Sequence, residues 1–155
     1  MKQFKQLLFS LLLPLGVGML SSYLTPNSMR LFTQLQRPPL SPPGVVFPIV
    51  WTVLYLLMGW SAWRIWQSGS PQRNEALLLY AVQLAMNFLW SIFFFGFELY
   101  LFSFLWLLLL WGVLAAMILR FWKIDPLAAV VQLPYLLWVT FAGYLNFGIY
   151  LLNQA

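Results

Sequence analysis

The sequence predicts an all-α membrane protein, a bundle of five transmembrane helices. Three observations carry that prediction. Of 155 residues, 63% are hydrophobic and only 7% are charged, whereas soluble domains carry about 25% charged residues. Such a chain cannot coat a globule with polar surface, so the bilayer is its solvent. Second, five apolar runs reach the length of about 20 residues needed to cross a hydrocarbon core. Third, the formal charge of +5 is scattered between those runs and forms no basic patch. Scattered cations orient membrane spans; no nucleic-acid surface is predicted. The length suits a single domain.

The first span is expected over 4–24. Its basic start and apolar middle resemble a signal peptide, but the apolar stretch continues to Leu24 and no Ala-x-Ala-like site follows. A long polar loop, 25–44, comes next. The second span, 45–66, opens on Ser41-Pro42-Pro43-Gly44, where Ser41 is expected to cap the helix N-terminus ahead of proline. A short QSGSPQRN turn leads to the third span, 75–97. A very tight turn around Gly96-Phe97-Glu98 leads to the fourth, 99–121. The fifth, 127–152, follows Asp125-Pro126, an acceptor side chain placed before a proline at the first helical position. Pro134 lies further inside and is expected to kink this helix, freeing the Val130 carbonyl.

An odd number of spans puts the termini on opposite sides. Lys2, Lys5, Arg64, Arg73, Arg120 and Lys123 fall on the N-terminal side, and Arg30 and Arg37 on the other. The positive-inside rule then places the N-terminus inside and the C-terminus outside. Trp60, Trp63, Trp66 and Trp122 sit near the inner helix ends, where an aromatic belt is expected. Cysteine and histidine are both absent, which excludes disulfides, thiol nucleophiles, His-based catalysis and nearly all transition-metal sites. No cofactor is called for. Glu75, Glu98 and Asp125 all fall at helix ends, which argues against proton-coupled pumping. Passive movement of a lipophile is left open. Gly112-Val113-Leu114-Ala115-Ala116 is a small-xxx-small pattern. It permits close helix approach in a homodimer and equally within one bundle.

Gln83 and Asn87 lie four residues apart, on one face of the third span. That pattern fits interhelical hydrogen bonding and equally a polar anchor inside an apolar pocket. Phe47, Trp51 and Tyr55 recur every four residues in the second span. Pro134, Trp138, Ala142, Asn146 and Tyr150 do so in the fifth. At 1.5 Å rise per residue, Trp51 lies roughly 10 Å below the start of its helix, and Asn146 is comparably deep from the opposite end of its own. These residues can line one cavity in the outer half of the bundle, under a loop carrying Arg30 and Arg37. An aromatic cavity with a few polar groups and a cationic lid suits a flat, hydrophobic, acidic ligand.

The chain resembles the translocator protein family, also called tryptophan-rich sensory protein (TspO). The resemblance rests on several stretches in order. They are Arg37-Pro38-Pro39-Leu40-Ser41-Pro42-Pro43-Gly44, Phe47-Pro48-Ile49-Val50-Trp51-Thr52-Val53-Leu54-Tyr55 with Met58-Gly59, and Gln83-Leu84-Ala85-Met86-Asn87-Phe88-Leu89-Trp90. Asp125-Pro126 and Leu133-Pro134-Tyr135-Leu136-Leu137-Trp138 continue the pattern, through Ala142 to Leu145-Asn146. The resemblance implies a five-helix bundle, often dimeric, that binds porphyrins and synthetic lipophilic ligands, in a sensing, regulatory or translocation role. Some bacterial relatives are reported to break down protoporphyrin. Trp51, Asn87, Trp138 and Ala142 match pocket positions of the family. Trp51 and Trp138 match the pair tied to porphyrin breakdown, and are the catalytic candidates if this chain has that activity. The candidate ligand-binding set is Phe47, Trp51, Tyr55, Asn87, Trp90, Trp138, Ala142, Asn146, Arg30 and Arg37. The expected partners are a porphyrin or other lipophilic small molecule and membrane lipid. Two departures stand out. Leu31-Phe32 and Leu40 replace tryptophan-containing positions of the family's first loop. Phe147 replaces the tyrosine of the C-terminal cholesterol motif of animal members, and no basic residue follows it, so no such site is predicted.

Overall fold

A computed structural model describes residues 1–154. Among these residues, five helical segments are long and apolar enough to span a bilayer. Helix α1 is Lys2–Leu24, α2 is Ser28–Gln34, and α3 is Val46–Gln67. Helix α4, Arg73–Ser91, continues into a π-helical turn, Ile92–Gly96. Helix α5 is Tyr100–Ile124, and the fifth span is built from α6, Pro126–Val130, and α7, Leu133–Leu152. The spans form a ring. Helix α1 packs on α3 and α4, α4 on α5, α5 on α6 and α7, and α6 closes back on α3.

The half of the ring nearer the N-terminus of α1 is tightly built. Pro14 supplies no N–H to the Ser10 carbonyl one turn earlier. That carbonyl faces Gly59 of α3, where any Cβ would collide with it. Glycine is therefore what lets α1 and α3 approach so closely. Across the ring, Ser61 Oγ donates to the Ala128 carbonyl at 2.7 Å. Buried Ala62, Ala128 and Ala129 keep α3 and α6 close. Asp125 caps α6 as expected, accepting the Leu127 N–H at 3.2 Å. It also accepts from Arg64 Nε at 2.6 Å. Partial burial would raise the Asp125 carboxyl. The hydrogen bond and charge of Arg64, with the Ala128 and Leu127 N–H groups, outweigh burial and hold it below its ordinary value. A second ion pair, Arg120 with Glu75, joins α5 to α4.

Three local expectations are corrected. Ser41 does not cap the second span. Its hydroxyl donates backward to the Pro38 carbonyl at 2.7 Å. The chain instead turns at Pro43 and Gly44, whose carbonyls take the N–H groups of Val46 and Phe47. The helix thus starts later, and Pro48 falls in its first turn, where no N–H is needed. Pro134 does not kink a helix interior either. The chain breaks between α6 and α7 around Val131 and Gln132, and Pro134 sits in the first turn of α7. The 25–44 segment is not wholly loop, because it holds α2. The small residues Gly112 and Ala116 of α5 are both exposed, and nothing in the bundle lies against Gly112.

Candidate functional site

The break before α7 shapes the site. Helix α6 lies directly on α3, but α7 approaches α3 less closely, so the opposite half of the ring, nearer the C-terminus of α7, opens. A cavity of about 240 Å³ occupies that opening, walled by α1, α2, α3, α4, the π turn and α7. Its rim includes the exposed residues Ser22, Met29 and Pro48.

Helix α3 contributes Phe47, Trp51 and Tyr55 to the wall. Trp51 stacks on Tyr55 at 5.5 Å between centroids, and Phe47 meets Trp138 edge-on at 5.7 Å. Trp51 is further braced edge-on by the buried ring of Tyr135 at 6.1 Å. The indoles of Trp51 and Trp138, from two different spans, therefore face one space. Helix α7 adds Ala142 and Asn146. A four-residue stripe drifts about 40° per step around a helix of 3.6 residues per turn. By Tyr150 the drift has carried the side chain off the wall, and Leu145 and Ile149 take its place.

The polar groups divide by engagement. Asn146 uses both ends of its amide. Its Oδ1 accepts from Trp90 Nε1 at 3.0 Å and its Nδ2 donates to the Tyr100 carbonyl at 2.8 Å. Asn146 thereby holds the Trp90 indole in place, and Trp90 stacks on Phe94 of the π turn at 5.4 Å. Asn87 is different: it is buried at the cavity wall and its Nδ2 has no protein partner. A ligand acceptor can satisfy that donor. No lining residue is ionised at neutral pH. The site is thus equipped for stacking and hydrogen bonding, and presents no acid–base pair.

Arg30 and Arg37 are not among the lining residues. Arg30 is exposed on α2. The Arg37 guanidinium lies 4.9 Å over the ring of Phe32. Phe32 is itself buried, and packs edge-on against Phe47 at 4.8 Å. It gives the lid an aromatic contact on the cavity. Leu40 turns away, 85% exposed at a left-handed φ of 70°.

The lid is fastened to α7 at three points. Asn153 Nδ2 donates to the Gln36 carbonyl at 2.8 Å, and its Oδ1 accepts the Gln36 N–H at 3.1 Å. The Tyr144 hydroxyl donates to the Pro39 carbonyl at 2.6 Å. Between them the Pro38 ring lies on Gly148, where a Cβ would come within 2.6 Å of it. Sequence reasoning missed these contacts, and also the wall formed by Gly18 and Ser21 of α1 and by Thr25 at its C-cap. The π turn, which aims Phe94 and Phe95 inward, had no sequence signal beyond a run of aromatics. In α2 and at its C-cap, the apolar residues Met29, Phe32 and Leu35 at helical spacing were the legible hint.

Fold and site together define a five-helix integral membrane protein with an aromatic cavity between its spans. Residues 10–152 match the TspO/MBR family, and the chain belongs to that family. It is 36% identical to the tryptophan-rich protein TspO of Chlorobaculum tepidum, over 98% of both chains. It is 40% identical to protein CrtK of Rhodobacter capsulatus, over 79% of this chain and 78% of the relative. It is 36% identical to the translocator protein of Bos taurus, over 94% of this chain and 88% of the relative.

Proposed function

We propose that this protein binds porphyrins and related flat lipophiles in the cavity, and acts in sensing, regulation or passive translocation of them. The observation that carries the reading is the meeting of Trp51 and Trp138 around one cavity beside the unpartnered Nδ2 of Asn87. Indoles from two spans on one cavity suit a large flat ring system, and the unpartnered Asn87 donor at the wall fixes its orientation. Pockets for drug-sized ligands span about 300–1,000 Å³, so a cavity of about 240 Å³ holds only part of a tetrapyrrole while the lid is latched. Binding therefore moves the lid. That movement lifts Arg37 from Phe32 and lets Arg30 or Arg37 pair with propionates as charge-assisted contacts.

The charge distribution supports an N-terminus inside and a C-terminus outside. The exposed Gly112 and Ala116 support self-association through α5; crosslinking in a bilayer that yields monomer alone rejects it. The test of the binding site is quenching of tryptophan fluorescence by protoporphyrin. Trp51→Ala and Trp138→Ala are each expected to weaken binding by about 1–3 kcal/mol, or about 5–150-fold, the scale of a lost aromatic contact. Unchanged affinity in both variants rejects the site.

A further inference from the structure

On the inner side of the cavity, Tyr135 Oη donates to Gln83 Oε1 at 2.7 Å, linking α7 to α4 through the core. Four buried polar side chains on these two helices, or at the break before α7, carry atoms with no partner among the described residues. Gln83 leaves its own Nε2 unpaired. Tyr80, one turn inward on the same face of α4, leaves its hydroxyl unpaired. Asn87, one turn outward, leaves Nδ2 unpaired. Gln132, three residues before Tyr135 at the break before α7, leaves both Nε2 and Oε1 unpaired. Gln83 and Gln132 are 0% exposed, Asn87 4% and Tyr80 5%. Tyr80, Gln83 and Asn87 follow one another at successive turns along one face of α4, and Tyr135 reaches that face through its bond to Gln83. Gln132 lies one turn before Tyr135 at the start of α7, so helical register lines these groups up as a seam that leads away from the cavity wall.

Buried polar atoms are almost always partnered, by protein or by ordered water. An orphan in a low-dielectric core loses its hydration with no return. The chemistry of the missing partner is constrained. Gln83 and Asn87 need acceptors, Gln132 needs an acceptor and a donor, and Tyr80 takes either. A metal cation is excluded, because the seam has no carboxylate and mostly offers N–H donors. An anion is excluded, because no cationic side chain lies among these groups. A small neutral molecule that both donates and accepts remains, which is water. We propose that a short file of internal waters fills this seam, from Asn87 at the cavity past the Gln83–Tyr135 bond to Gln132.

Gln132 lies seven residues beyond Asp125, so the file ends about 10 Å from the inner ends of the spans, at 1.5 Å rise per residue. The file gives the cavity a hydrated floor. Asn87 exchanges a water for a ligand acceptor and is never left bare in the core. The waters also bridge α4 to the start of α7, where the helix ladder is interrupted.

Synchrotron hydroxyl-radical footprinting of the full chain in lipid nanodiscs tests this, since radiolysis of a bound water oxidises the side chains beside it. After correction for intrinsic reactivity, Tyr80 and Tyr135 are expected to oxidise several-fold faster than Phe121, which is 0% exposed in the same core. Oxidation of both tyrosines as slow as that of Phe121 overturns the proposal. Gln132→Leu supplies a second readout. Loss of a water-bridged amide lowers Tm and slows Tyr80 oxidation. A Tm that is unchanged or raised, with Tyr80 oxidation unaltered, shows that Gln132 was dry and overturns the file.

Discussion

Replacing Asn153 with alanine should release the lid. Asn153 spans from the end of α7 to the lid with two hydrogen bonds to the Gln36 backbone, at 2.8 and 3.1 Å. A net intramolecular hydrogen bond contributes about 0.5–1.5 kcal/mol. These two are exposed, so the lower part of that range applies, and the pair contributes about 1–2 kcal/mol. At 1.4 kcal/mol per tenfold change, the open lid becomes about 5–30-fold more populated. The assay is hydrogen exchange. Residues 36–40 include Pro38 and Pro39, which have no amide, so exchange there reports Gln36, Arg37 and Leu40 alone. The Gln36 N–H, held by Asn153 Oδ1 in the parent protein, loses its acceptor outright and is the amide that reports the latch. Tyr144→Phe, which removes the single bond to the Pro39 carbonyl, should accelerate exchange at Gln36, whose N–H is held by Asn153 in the closed lid, by about 2–10-fold. Asn153 Nδ2 also bonds the Ile149 carbonyl at 2.8 Å, so fraying of α7 is the alternative cause. Unchanged exchange at Ile149, Tyr150, Leu151 and Leu152, the last turn of α7, separates lid release from fraying. Exchange in 36–40 that matches the parent protein in both variants refutes the latch.

Three further outcomes are expected. Gly59→Ala forces a Cβ against the Ser10 carbonyl, and overpacking of this kind costs about 1–3 kcal/mol; thermal unfolding in detergent at an unchanged Tm would contradict that contact. Asp125 has a folded pKa held below its unfolded value of about 3.9. The stabilisation from its pairing with Arg64 is thus complete above about pH 4 and declines as pH falls through the lower, folded value. Asp125→Asn keeps a good helix cap but should flatten that acid decline in a pH series of unfolding midpoints. If the chain degrades protoporphyrin, Trp51 and Trp138 are its catalytic residues, and illumination of the complex should give a new product spectrum that Trp51→Phe abolishes. Bleaching at the rate of free porphyrin rejects that activity.

Local chemistry was legible wherever a single residue acts on its own backbone. Asp125 before Pro126 caps a helix in any context, and it does so here. Ser41 before Pro42 carries the same pattern, but the turn at Pro43 and Gly44 delays the helix and turns the hydroxyl back to Pro38. Pro134 read as a kink because nothing in the sequence marks the break around Val131 and Gln132. Asn146 was placed on the cavity side by its spacing. Its bonds to Trp90 and Tyr100 depend on two other elements and could not be read from one helix.

Composition and run length alone determined that the chain lives in a bilayer as five spans, because the cost of burying charge and the length of an apolar crossing are properties of the segment itself. Helical period likewise determined that Phe47, Trp51 and Tyr55 share a face, as do Trp138, Ala142 and Asn146. Only the tertiary structure decided that these faces converge, that α1 and the π turn complete the wall, and that the lid is fastened to α7. Those outcomes depend on where the ring of helices closes and where it parts at the break before α7. That is set by contacts such as Ser10 on Gly59 and Ser61 on Ala128, between residues far apart in the chain.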